Sequence, residues 1–362
     1  MTVGSPVNPA PVGDSDLHKL LAGERLPRWA PLAAAGAGLG LTVLLAAVGA
    51  VNGLVGIAVV AAILFAMIQT TWSLAVEGRR HAIDRLATTA VYATFVIAAA
   101  PLISLLATVI IKGSKVINST FLTHSMRNVD PQGPGGGLQH AIVGTFQQVG
   151  LATLIGVPLG ILAAIYLVEY SGDASSPRLA RSIEFVVDVM TGVPSIIIGL
   201  FVYSAFILTL GLPRSGFAAA IALAILMIPV VVRSTEEMLR IVPRDLREAS
   251  LALGIPRWRT ITKVVLPTAM AGIITGAMLA IARIAGETAP LLLTTFLTQS
   301  FNYNPFKGPQ IALPTFIWDQ FTSGTQASQD RAWGGALVLI IIVMIFYAGA
   351  RVVARFAGIK KY

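Results

Sequence analysis

Arg283 and Glu287 stand four residues apart inside an apolar run, Val264–Leu297, that otherwise reads as membrane-spanning helix. Gly286 and Pro290 flank the second charge. On a continuous helix this spacing puts both side chains on one face. Turned to lipid, each charge would cost about 2.5–3.5 kcal/mol, so both must face protein or a wet pathway. Two kinds of chemistry fit. The pair could be a structural salt bridge. Alternatively, the guanidinium could hold a tetrahedral oxyanion by bidentate hydrogen bonds. The carboxylate would then position the arginine and neutralise it when no anion is bound. Residue type and spacing leave both open. The run is also too long for one straight span. It must begin below the bilayer or break near Pro290, and backbone freed by a break is tolerated where it lines a cavity.

Other polar residues in apolar surroundings invite the same question. Arg233 closes the run Gly216–Val232, where it could face a pathway or snorkel to headgroups. Pro194 in "TGVPS" and Pro229 interrupt helices, as hinges or as packing kinks. With Gly286 and Pro290 they make four hinge candidates. Glu184 and Asp188 fall near the start of an apolar run and are explained by the positive end of a helix dipole. His81, His124 and His140 have no metal-ligand spacing and read as loop residues, so no metal site is expected.

These residues must be carried by membrane helices. Of the 362 residues, 55% are hydrophobic and 12% charged, against about 25% charged in a soluble domain. Mean hydropathy is +0.78. Eight apolar runs stand out: Ala30–Ala50, Gly53–Val76, Leu86–Ile111, Ala141–Val168, Ile183–Leu210, Gly216–Val232, Val264–Leu297 and Gly334–Phe356. Each can cover about 30 Å of hydrocarbon, the sixth only marginally. None alternates with the period of a barrel strand, so an all-α membrane protein with about eight transmembrane helices is expected. If the N-terminus is inside, the outer segments hold only Lys112, Lys115, Arg127, Arg214, Lys307 and Arg331. Every other Lys and Arg except Arg283 then falls inside, which favours both termini in the cytoplasm. The net charge of +9 is explained by this bias, and no aromatic-studded basic stretch argues for nucleic acid. There is no cysteine, which excludes disulfides and thiol chemistry. Residues 1–29 are polar and Pro-rich without the order of a signal peptide, and read as a disordered cytoplasmic tail. A polar, aromatic outer segment from Thr298 to Trp333 is read as holding a short interfacial or re-entrant helix, with Trp318 and Phe321 at headgroup level.

The longest inner loop, residues 234–263, contains a helical stretch from Pro243 to Leu253. Pro243 suits a first turn, Asp245 and Glu248 its dipole, and Gly254 with Pro256 its end. Leu246, Ala249, Ala252 and Leu253 form an apolar stripe that needs a partner. Glu248, Ala249, Ser250, Gly254, Val264, Leu266 and Pro267 have the spacing E-A-A-x-x-x-G, nine residues, I-x-L-P, with Ser250 and Val264 departing from it. In this the chain resembles the permease subunits of ABC importers, whose loop docks as a coupling helix on an ATPase. No G-x-x-x-x-G-K-[ST] phosphate loop occurs in the chain, consistent with ATP being used by another subunit.

The segments "ARIAGETAPLLL", "LMIPVVVRSTEEMLRIVPRDLREASLALG", "LQHAIVGTFQQVGLATLIGVPLGILAAIYL" and "MTGVPSIIIGLF" are similar to phosphate importer permeases of the PstA type. The likeness covers about Gly137 to Gly358. It implies an ABC permease domain at 86–362, preceded by an N-terminal transmembrane hairpin at 30–85. It implies a substrate pathway at Arg283, Glu287 and Arg233 and coupling to an ATPase that uses ATP and Mg, with no cofactor bound by this chain and no enzymatic activity of its own. The partners it implies are a second permease of the PstC type in a heterodimer, two ATPase subunits, an extracytoplasmic phosphate-binding protein, phosphate and the lipid bilayer. The implied location is the plasma (inner) membrane of a prokaryote. Sulfate or molybdate remain rivals to phosphate. A secondary transporter would have no use for the docking loop, and an enzyme acting on lipid phosphates would need a His, Asp or Ser cluster at one interface.

Overall fold

Apolar runs this long can satisfy their backbone in lipid only as helices. The computed structural model describes residues 25–130, 133–171 and 177–358, and among these there are helices and no strands. Most of the tail expected to be disordered, together with Lys19, Lys360 and Lys361, lies outside the described residues. The helices are α1 (Ala30–Ala47), α2 (Leu54–Val76), α3 (Arg79–Gly113), α4 (Ser119–Thr123) and α5 (Gln139–Ile165). Then come α6 (Pro177–Gly192), α7 (Ser195–Val202), α8 (Gly216–Ile241), α9 (Arg244–Ala252) and α10 (Arg257–Thr260). The series ends with α11 (Leu266–Ala285), α12 (Ala289–Thr294), α13 (Leu313–Thr322) and α14 (Gln326–Gly358). Wider π-helical turns extend α5 over Tyr166–Tyr170, extend α7 over Tyr203–Thr209, and join α10 to α11 over Ile261–Val265.

Seven helices are long and apolar enough to cross a membrane, and an eighth crossing is possible if the bent pair α6–α7 is one span. The expected count of about eight therefore holds, with one change of shape. The fifth run is not straight: it turns by 110° between Gly192 and Ser195. Pro194 has no N–H to give and drives Val193 out of helical backbone, so the helix restarts with Pro194 as its N-cap. The sixth run is longer than expected and continues past Val232 to Ile241. Thr235, Glu236 and Leu239 are buried, so packing carries the helix beyond its apolar stretch and shortens the loop that follows.

The chain divides into two units, residues 1–106 and 107–362. In the first, α1 and α2 form a hairpin joined by a turn with left-handed Gly49 and Gly53. Gly38 lets the helices approach closely, since a Cβ there would lie 3.0 Å from the Phe65 nitrogen. Glu77, just after α2, accepts hydrogen bonds from the Leu26 nitrogen, Ser73 Oγ and Arg85 Nε, each at 2.7 Å. These bonds hold the approach to α1 and the start of α3 against the end of α2.

The second unit is built around α8, which is buried along most of its length and packs most extensively on α5. Lipid supplies little hydrophobic drive between helices, so close contact of small residues has to hold them. Gly156 and Gly160 of α5 provide it: a Cβ on Gly160 would stand 2.7 Å from Val231 Cγ1. Ala219, Ala220, Ala222, Leu223, Met227 and Val231 fill the core around this contact. At the N-terminal end of α5, segment 295–312 is fastened by side-chain amides and hydroxyls. Gln148 donates to the Gln310 carbonyl at 3.0 Å, and the Leu313 nitrogen donates to Thr145 Oγ at 2.8 Å. The helix anticipated between Thr298 and Trp333 is α13, with Trp318 and Phe321 exposed.

Candidate functional site

The anticipated Arg283–Glu287 pair does not form. Helix α11 ends at Ala285, with Gly286 as its C-cap, and the chain restarts at Ala289 with Pro290 in its first turn. The four-residue spacing therefore does not translate into a shared face. Arg283 is exposed and Glu287 half-buried, and neither makes a hydrogen bond or ion pair among the described residues. Arg283 lies in the last turn of α11, where a cation complements the helix dipole. It stands exposed two residues before the helix ends, next in sequence to buried Ile284 and Ala285.

One hinge candidate packs against the helix that another begins. Gly199 of α7, the helix that starts after Pro194, abuts Pro290 of α12, where a Cβ would lie 2.6 Å from the Pro290 Cα. Pro229 behaves differently: it is buried inside α8, which runs through it without a break.

Arg233 does not simply reach for headgroups. Helix α8 continues two turns beyond it, and its guanidinium pairs with Glu236 at 2.8 Å and with Asp188 of α6. Glu236 is buried, and Asp188 is exposed. The dipole reading of Asp188 is corrected, because that residue sits in the last third of α6 and serves Arg233.

The loop motif is assembled at the C-terminal end of α5. Helix α9 closes on Gly254, whose φ of +74° only glycine adopts without strain. Ser250 explains its departure from alanine: its hydroxyl is buried 2.9 Å from Thr260 Oγ and ties α9 to α10. Leu266 joins Leu239, Val242, Val265, Ala269 and Ile273 in a cluster beneath the loop. Val264 is half-buried and Pro267 exposed. Glu248 and Ala249 are exposed, as are Leu246, Leu251, Leu253 and Trp258, so an apolar face is left uncovered beside acidic and basic residues.

Several residues were missed by pattern alone. Arg247 of α9 reaches buried Glu169, bonding it at 2.8 Å. A lone carboxylate closing an apolar run was the available signal, since such a group needs a partner. Arg331, read as an outer loop residue, is buried in α14 and donates to Gln320 and to the carbonyls of Gly133 and Gly135. His140 is likewise no loop residue. It is buried in the first turn of α5 between Phe301 and Phe316. No group of residues able to hold a metal occurs among the described residues.

A membrane bundle with a broken helix at its charged site and an uncovered amphipathic loop helix has the build of a transporter permease. Residues 156–357 match the model of the "binding-protein-dependent transport system inner membrane component" family, and the chain belongs to that family. Its relatives within that family include PstA-type permeases. "Phosphate transport system permease protein PstA 1" of Mycobacterium tuberculosis (strain CDC 1551 / Oshkosh) is 46% identical over 284 residues, covering 78% of this chain and 92% of the relative. "Phosphate transport system permease protein PstA" of Mycobacterium leprae (strain TN) is 45% identical over 266 residues, covering 73% and 86%. Among solved structures, a chain of a bacterial alginate ABC transporter in complex with an alginate-bound periplasmic protein superposes with a TM-score of 0.54. Its identity is 15%, over 77% of this chain and 97% of the solved one, so it supports the fold alone.

Proposed function

We propose that this chain is the permease subunit through which an ATP-driven importer passes inorganic phosphate. The observation that carries the reading is the loop 242–267. Its motif residues form a clamped, glycine-terminated helix with an uncovered apolar face, the form an ATPase-docking element needs. The high identity to permeases named for phosphate transport supports the choice of ion.

In this account the loop faces the cytoplasm, both termini lie inside, and the membrane is the inner membrane of a bacterium. A second permease of the PstC type completes the pathway, two ATPases dock on the two coupling helices, and an extracytoplasmic phosphate-binding protein delivers the ion. Arg283, exposed beside broken backbone and without a counter-ion among the described residues, attracts the anion. Glu287 nearby keeps the attraction weak enough for release. Arg233, already held by two carboxylates, offers a weaker contact further along. Closure of the ATPases moves α9, and rigid-body rocking of the spans exchanges access from one side to the other.

The test is to purify the chain with its native partners and measure ATP hydrolysis with binding protein and each oxyanion in turn. Phosphate should stimulate hydrolysis while sulfate and molybdate do not. Stimulation by sulfate or molybdate alone would assign the permease to another ion.

A further inference from the structure

Arg247 precedes the motif residue Glu248 and has no place in the motif, yet it is the most heavily bonded side chain of the loop. Its Nε and Nη2 donate to the carboxylate of Glu169, at 3.1 and 2.8 Å to Oε1. Its Nη1 donates to the Val242 carbonyl at 2.7 Å, and Nη2 also donates to the Leu239 carbonyl at 2.8 Å. Those carbonyls belong to the end of α8, where a helix leaves oxygens without intrahelical partners. One guanidinium thus ties three pieces of chain: α9, the end of α8, and the π-helical turn Tyr166–Tyr170 that closes α5. Glu169 is 8% exposed and the Arg247 side chain 18%.

We propose that Arg247 is a positioning residue that converts displacement of α9 into joint movement of α5 and α8. The inference rests on the reading of α9 as the ATPase-docking element. Apolar contacts alone would let a short surface helix slide or tilt under load. The half-buried guanidinium cannot follow such a slide without leaving Glu169 as an unpaired buried charge. The fork geometry also fixes direction, which a lysine could not do. The grip falls on a π-helical turn, a place where a helix carries an extra residue and can change register. A second such turn, Ile261–Val265, follows α10 on the other side of α9. Beyond the grip, α5 and α8 are locked by the Gly156 and Gly160 contacts, so they receive the movement as one body.

The experiment compares complexes carrying wild-type chain, R247A, R247K and E169Q, each assembled with ATPase, second permease and loaded binding protein in proteoliposomes. The reading is phosphate taken up per ATP hydrolysed. R247A and E169Q should retain the ATPase while this ratio falls about tenfold, the scale of a residue in a coupling network. R247K, which keeps the charge but loses the fork, should recover only part of it. A ratio in assembled R247A within about twofold of wild type overturns the clamp and leaves the docking reading standing. Should R247A fail to assemble, E169Q, equal in size and shape to the native residue, decides by the same ratio. Failure of the wild-type chain to retain the ATPase at all would overturn both readings.

Discussion

Arg283 is the residue on which the proposed anion pathway depends most. A guanidinium in a membrane-spanning helix without a protein counter-ion is costly, and occupation by an anion relieves that cost. Replacing it by glutamine keeps length and polarity but removes charge and fork. In an assembled, folded complex R283Q should lower phosphate uptake by at least about tenfold, equivalent to about 1.4 kcal/mol of lost stabilisation. Near-normal uptake would return Arg283 to a structural role. Glu77 makes a different prediction, one about stability. Hydrogen bonding from Arg85, aided by Ser73 and the Leu26 nitrogen, lowers its carboxyl from 4.5 to about 2 despite burial. A carboxyl depressed in the fold stabilises it fully above the unfolded value, and that contribution disappears as pH falls towards the folded one. E77Q should therefore unfold at lower temperature than wild type near neutral pH, with the gap narrowing from about pH 4.5 down to about pH 2. Thermal unfolding in detergent across that range checks it, and a gap independent of pH would refute it.

At the scale of elements, the helices were legible because lipid leaves the backbone no alternative, and α9 because its stop signals are local. The breaks were less so. Pro194 and Pro290 end or begin helices, yet Pro101, Pro158 and Pro229 sit inside continuous ones. Proline marks where a helix can break, and neighbours decide whether it does: Gly199 admits Pro290 to close contact, while α8 encloses Pro229. For the same reason the spacing of Arg283 and Glu287 misled. Four residues imply one face only if the helix continues, and Gly286 ends it. A lone carboxylate such as Glu169 signals that it needs a partner, but which distant residue supplies it, Arg247 for Glu169 or Arg233 for Asp188, has no local signature. Gly199→Val should push α7 off Pro290 at a cost of about 1–3 kcal/mol, read as a lowered unfolding temperature and reduced uptake. Gly254→Ala forces a left-handed backbone worth about 1–2 kcal/mol on a residue with a Cβ. It should weaken retention of the ATPase more than it lowers overall stability, which co-purification and thermal unfolding separate.

Taken whole, the molecule moves an ion it does not chemically alter, using energy it does not itself release. Arg283 lies where helix α11 ends, and α9, the proposed docking helix, is fastened to α5 and α8. The most direct measurement is uptake of labelled phosphate into proteoliposomes that hold the assembled permeases with loaded binding protein, ATPase and ATP, beside the same vesicles lacking the ATPase. The account predicts uptake in the first and none above background in the second. Equal phosphate flux in vesicles without the ATPase would contradict it.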